Sequence, residues 1–188
     1  RDDAVAGDTN GDGSFTLPDR GDWNFVKVDG ASSSGTIANA RFRYGGYAPL
    51  TQPMLGAVNG ATLAITGGGL SYSGYDGLGA GQSSVLSVAS VTFTGNASWA
   101  LNADESSRLT VMRRNSFAGT SGVRVFSPQT IQADGNTFLD HTGLAMLIHP
   151  GVTLSGFQDT AVVRTVAGGG LAAEFRSVTV TEPATWVG

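Results

Sequence analysis

Apolar and polar residues alternate in short runs along this chain, and Gly, Asn, Asp and Ser separate the runs. Alternation with a period of two marks a strand with one buried face, and no long stretch holds the 3.6-residue period of a helix. The runs also repeat. "TIANARF", "ATLAITGGGL", "SVLSVASVTF", "RLTVMRRNSF", "TIQADGNTF" and "GVTLSGF" each carry an aliphatic or small residue, a short gap, and then an aromatic residue or Leu. The anchors are Phe42, Leu70, Phe93, Phe117, Phe138 and Phe157, at spacings of 28, 23, 24, 21 and 19 residues. Their leading partners are Ile37, Ile65, Val88, Val111, Ala133 and Val152. The gap to the anchor is five residues in every case except Val111 to Phe117, where it is six.

A turn follows most anchors ("RYGG", "SYSG", "TGNAS", "AGTSG", "LDHTG"), and a further short strand follows the turn ("WALNA", "VRVFS", "LAMLI", "AVVRTV"). Each unit of about 22 residues therefore holds three short strands and tight turns, a period that suits one coil of a parallel β-solenoid. Equivalent strands of successive coils pair about 4.8 Å apart, so equivalent side chains stack. The pattern predicts an inward column of Phe42, Phe93, Phe117, Phe138 and Phe157, with Leu70 on one floor. Asn115 and Asn136 both lie two residues before their Phe, which predicts amide-to-amide bonding along the axis. A β-sandwich also has short strands at regular spacing, but it does not require an aromatic residue at one phase of every unit.

With these units in place, residues 21–46, "GDWNFVKVDG…GTIANARFRYGG", resemble the opening coil of bacterial right-handed parallel β-helix repeat proteins. "TIQADGNTFLDHTG" resembles their repeat. The resemblance covers nearly the whole chain and extends to the pectate-lyase-like superfamily, which includes enzymes, phage tailspikes, autotransporter passengers and large surface proteins. It implies an all-β, right-handed parallel β-helix of about six to seven coils. In such surface proteins, acidic insertions similar to "RDDAVAGDTNGDGS" precede a "GDW" coil, and a motif like Thr185-Trp186 opens a following segment. The expected organisation is an acidic insertion over 1–22 and a β-helix over 23–188 that continues beyond this piece of a longer protein.

Composition narrows the picture. Gly makes up 28 of 188 residues, about twice its usual share, and charged residues are 14%. A net charge of −4 argues against a nucleic-acid partner, since phosphate contacts need a basic patch. The absence of Cys excludes disulfides, thiolate metal sites and Cys nucleophiles. No apolar run approaches the length of a membrane-spanning helix, so membrane insertion is not expected.

One candidate metal site stands out. In "GDTNGDGSFTLPD", Asp8, Asn10, Asp12, Ser14, Thr16 and Asp19 occupy positions 1, 3, 5, 7, 9 and 12 of an EF-hand-type calcium loop, with Gly13 at the sharp turn. Asp replaces the usual Glu at position 12, and Pro18 and Gly21 leave no room for an exiting helix. The other reading is a plain Asp/Asn/Gly turn. A structural calcium ion would staple the insertion to the first coil, and millimolar extracellular calcium would fill even a weak site. That argues for an extracellular or bacterial cell-surface location.

Catalytic groups are hard to find. The strip expected to face outward, formed by Ala100, Asn102, Arg124, Phe126, Ala145 and Leu147, has one Arg and no carboxylate. It offers no acid pair for glycoside hydrolysis. Asp104, Glu105, Asp134, Asp140 and Asp159 fall in turns, as does His141. Tyr44 and Tyr72 lie two residues after their anchors, and Tyr47 and Tyr75 repeat the same offset of 28. These four tyrosines form a candidate carbohydrate-binding patch, or else cover a turn or a neighbouring domain. The expectation is a non-catalytic structural or adhesive segment. Its partners would be neighbouring segments of the same chain, extracellular polysaccharide or a cell-surface protein. The alternative is a polysaccharide-degrading lyase or hydrolase, or a carbohydrate-binding domain, with Asp104, Glu105 and Arg124 meeting across coils.

Overall fold

A computed structural model describes residues 17–163, 173–175 and 179–180. The chain winds into a parallel β-solenoid with three sheets. The first sheet stacks β1 (Val26–Asp29), β4 (Leu55–Val58), β7 (Leu78–Ala80), β10 (Trp99–Ala103), β13 (Ser121–Val125), β16 (Met146–Ile148) and β19 (Ala173–Phe175). The second stacks β2 (Ser34–Ala38), β5 (Thr62–Thr66), β8 (Val85–Ala89), β11 (Arg108–Arg113), β14 (Thr130–Gln132), β17 (Thr153–Ser155) and β20 (Thr179–Val180). The third stacks β3 (Arg41–Arg43), β6 (Gly69–Ser71), β9 (Thr92–Thr94), β12 (Ser116–Ala118), β15 (Thr137–Leu139) and β18 (Ala161–Val163). Every third strand in sequence is a neighbour in space, and all these pairings are parallel.

Stacking follows from the alternation. On the first sheet Leu55, Leu78, Leu101, Val123 and Met146 are in register, and beside them run Ala57, Ala80, Ala103, Val125 and Ile148. All ten are buried. Leu63, Leu86 and Leu109 align on the second sheet. On the third, Phe93, Phe117 and Phe138 stack ring on ring, with centroids 4.9 and 4.8 Å apart and planes 14° and 15° from parallel. Offset-parallel rings at that spacing gain attraction beyond their buried area. Leu70 fills the floor between Phe42 and Phe93, and Trp23 covers Phe42 at a tilted 6.5 Å.

The Asn pair forms the ladder the sequence predicts. The Asn115 side-chain amide donates to Asn136 Oδ1 at 3.1 Å and to the Val88 carbonyl at 3.1 Å. Its own Oδ1 accepts the Val91 backbone N–H, and Asn136 Nδ2 donates to the Met112 carbonyl at 2.7 Å. Both side chains are buried, so these bonds satisfy buried amide groups from the turns and from the ends of β8 and β11. Thr160 continues the ladder, donating from Oγ1 to the Ala133 carbonyl.

Three positions in the predicted columns are corrected. Val152 is buried but lies one residue before β17, whose Thr153 pairs with Thr130, so it falls opposite Gln129 and not Ala133. Met112, not Val111, aligns with Val88, because the register shifts between Leu109 and Val111. This β-bulge accounts for the one six-residue gap: counted from Met112, the gap to Phe117 is five like the others. Phe157 is buried but off the column. It opens a short 3₁₀ turn, Phe157–Asp159, and the residue that aligns with Phe138 is Val162. "AVVRTV" therefore begins as the third-sheet strand β18, not as a first-sheet strand.

Candidate functional site

Of the proposed calcium ligands, Asp8, Asn10, Asp12, Ser14 and Thr16 lie outside the described residues. Asp19 is exposed, and its Oδ1 accepts the Arg20 backbone N–H at 2.7 Å. Among the described residues no group of three or more His, Asp or Glu side chains could hold a metal ion.

The outward strip of the first sheet has the expected Asn102, Arg124 and Leu147 side by side in register. Ala100 and Ala145 are buried instead of outward, at 2% and 1% exposure. The strip also meets a carboxylate that the alternation does not reveal. Asp76, in the turn before β7, is 2% exposed. Its Oδ1 accepts the Trp99 N–H and its Oδ2 accepts Asn102 Nδ2, both at 2.9 Å. Asn102 Oδ1 in turn accepts Arg124 Nε at 3.0 Å. The Arg124 guanidinium lies 5.5 Å from the Trp99 ring and 4.8 Å from the Phe126 ring. Burial pushes the Asp76 carboxyl above its ordinary pKa; the hydrogen bonds and the charge of Arg124 pull against that. Asp76 sits in "SGYDG", in the turn between β6 and β7, where no repeat position marks it.

Two of the other turn acids, Asp104 and Asp134, hold the coil. Asp104 Oδ1 accepts the N–H groups of Ser106 and Ser107 and the Ser107 hydroxyl, the last at 2.6 Å. Asp134 is ion-paired with Arg113 of the preceding coil. Asp104 is thus tied to its own turn and Arg124 to Asn102, and Glu105 contributes its backbone carbonyl to the Ser127 hydroxyl. His141 is buried, and neither ring nitrogen completes a hydrogen bond of good geometry. Burial pushes its pKa down; the backbone of Phe117 and Gly119 and the Asp140 charge oppose this.

Of the four tyrosines, the structure stacks Tyr44 on Tyr72, with centroids 5.5 Å apart and planes 11° from parallel. Both are in the left-handed region, at φ +63° and +58°, and Gly95 takes the equivalent place on the next coil. Tyr47 is exposed in a small bridge with Gln52, and Tyr75 is half-buried with its N–H on Ser73 Oγ. Beside Tyr72 the outer face of the third sheet is hollow. A groove of about 280 Å³ is lined by Arg41, Arg43, Gly69, Tyr72, Thr92 and Thr94, with Gly68 and Ser71 completing it. Gly69 keeps the floor low: a Cβ there would sit 3.1 Å from the Thr92 carbonyl.

No protein-family model matches this chain, and comparison with curated proteins and with solved structures gives no match either.

Proposed function

We propose that this chain is a non-catalytic structural or adhesive β-helix segment of a large secreted or cell-surface bacterial protein. One observation carries the reading: Asp76, Asp104 and Asp134 are engaged in holding the coil. Asp104 closes its turn, Asp134 ties two coils through Arg113, and Asp76 is buried under backbone and amide donors. A buried carboxylate with fixed donors on both oxygens is poorly placed to exchange protons with a large substrate. The parallel ladder and buried columns supply what a rod needs, a stiff core along one axis. A structural calcium ion on Asp8, Asn10, Asp12, Ser14, Thr16 and Asp19 belongs to the same proposal.

The test is release of new reducing ends or unsaturated products from a panel of acidic and neutral polysaccharides, in millimolar calcium and in chelator. The expected result is no product on any substrate and a melting temperature that falls in chelator. Product that grows with protein concentration and disappears in Asp76→Asn or Asp104→Ala overturns the non-catalytic reading. An unchanged melting temperature in chelator removes the calcium part alone.

A further inference from the structure

We propose that the open end of the first coil docks a second copy of this chain, head to head about a two-fold axis through Val28. The inference goes beyond the scaffold reading and does not rest on it.

The first coil leaves its core uncovered. Strands β1, β2 and β3 each stand at the end of their sheet among the described residues. Val26 is 44% exposed, whereas Leu55, its partner in register one coil on, is 0% exposed. Val28, Ile37 and Phe42 are half-buried, whereas their partners Ala57, Ile65 and Leu70 are buried. Trp23 shelters only the corner at Phe42. The described chain comes in along the turns that follow β3 and β6, not across this end. The Gly21 and Asp22 N–H groups donate to the Tyr44 carbonyl, both at 2.9 Å, and Arg20 Nη1 donates to the Ser73 carbonyl at 3.3 Å.

The backbone of β1 is set for another strand. The Val26 N–H donates to the Met54 carbonyl and the Gly30 N–H to the Val58 carbonyl, so these residues bond toward β4. Residues between them turn the other way, and the N–H and C=O groups of Lys27 and Asp29 face the open edge. The Asp29 carbonyl accepts Ser33 Oγ at 2.6 Å and has a second lone pair. An edge of this kind is a template for pairing with another chain.

Charge selects the occupant and the register. Lys27 and Asp29 flank Val28 on the outer face and pair with each other at 2.8 Å. Two β1 strands run antiparallel, with Val28 opposite Val28, place Lys27 opposite Asp29 of the second copy, twice. In this same register the edge-facing groups of Lys27 and Asp29 exchange hydrogen bonds with the second copy. Centring the pair on Lys27 or on Asp29 instead sets like charges face to face, which is destabilising. The strand is therefore complementary to itself in one register, as a two-fold interface requires. The same axis lays β2 against β3 of the second copy.

The test is sedimentation equilibrium of the full chain over a range of concentrations. The expected result is a monomer–dimer equilibrium. Lys27→Asp and Asp29→Lys should each weaken self-association about tenfold, since two opposed pairs turn from attractive to repulsive. An equimolar mixture of the two variants should recover dimers, because each reversed charge then meets its opposite. Unchanged melting temperatures at dilution will show that the variants fold. The chain has no Cys, so Val28→Cys supplies one thiol per copy. Facing Cα atoms at such a pair lie about 4.5 Å apart, within disulfide reach, so oxidation should link two copies. Thr36→Cys, exposed on β2 and off the axis, should not link. A monomer at every concentration overturns the proposal and leaves the end bare or covered from within the chain. A dimer indifferent to both charge reversals, or one that Thr36→Cys links as readily as Val28→Cys, places the interface elsewhere and also overturns it. Neither outcome bears on catalysis, which the polysaccharide assay decides.

Discussion

At the scale of the residue, a few buried polar side chains have consequences that can be measured. Asn136 accepts the Asn115 N–H and the Asn115 side-chain amide, and it donates to the Met112 carbonyl. Asn136→Ala leaves these groups without partners in a dry turn, and each such loss is worth about 1–3 kcal/mol. Urea unfolding should show a loss of at least about 2 kcal/mol. His141 gives a pH signature. Its folded pKa is lowered by burial, so the unfolded chain takes up a proton more readily. The stability it contributes is fully present above the unfolded value of about 6.5 and declines as pH falls below it. The midpoint should drop between pH 7 and 5 in the wild type, and less so in His141→Gln. Asp76 acts with the opposite sign. Its folded pKa is raised, so its contribution is present below the ordinary carboxyl value and is lost as pH rises through the folded value. Asp76→Asn should remove that fall, so the variant gains stability relative to wild type as pH rises. A difference between the two proteins that stays flat with pH would contradict the assignment.

At the scale of the element, the sequence was most legible where the repeat is regular. The Phe93, Phe117 and Phe138 strands and the Asn pair could be read directly, because one side chain recurs at one phase. Phe117→Ala should destabilise the protein by about 3–5 kcal/mol, since it opens a cavity between two stacked rings and removes both contacts. Val111→Ala should cost far less than Met112→Ala, because Met112 is the buried partner and Val111 is only half-buried. That comparison checks the bulge directly. The bulge showed in the sequence only as the one six-residue gap, which does not say where the extra residue goes, and the Phe157 turn changes the local count with nothing in composition to mark it. Asp76 and the groove were hidden for another reason. Both arise where residues from different coils meet, and the distance between those residues in sequence depends on turn lengths. Arg41, Arg43 and Thr92 are unremarkable in sequence and become neighbours only when β3, β6 and β9 stack. Gly68→Ala tests the closest approach between coils. A Cβ there would lie 1.9 Å from the Ala40 carbonyl, at φ +83°. The strained backbone alone should cost about 1–3 kcal/mol.

At the scale of the whole molecule, the coils are held by columns that run along the axis. The apolar columns exclude water, and the Asn ladder satisfies the turns that the columns bury. Interaction between neighbouring floors is what a solenoid relies on, since a single coil has no core of its own. The most direct measurement is a double-mutant cycle at Asn115 and Asn136, followed by urea unfolding of the wild type, Asn115→Ala, Asn136→Ala and the double variant. If the floors support each other through the ladder, the expected result is a coupling of about 0.5–3 kcal/mol, with the double variant losing less than the sum of the singles. Losses that simply add would contradict the account, because the two side chains would then stabilise their own turns independently and the coils would be stacked without being joined there.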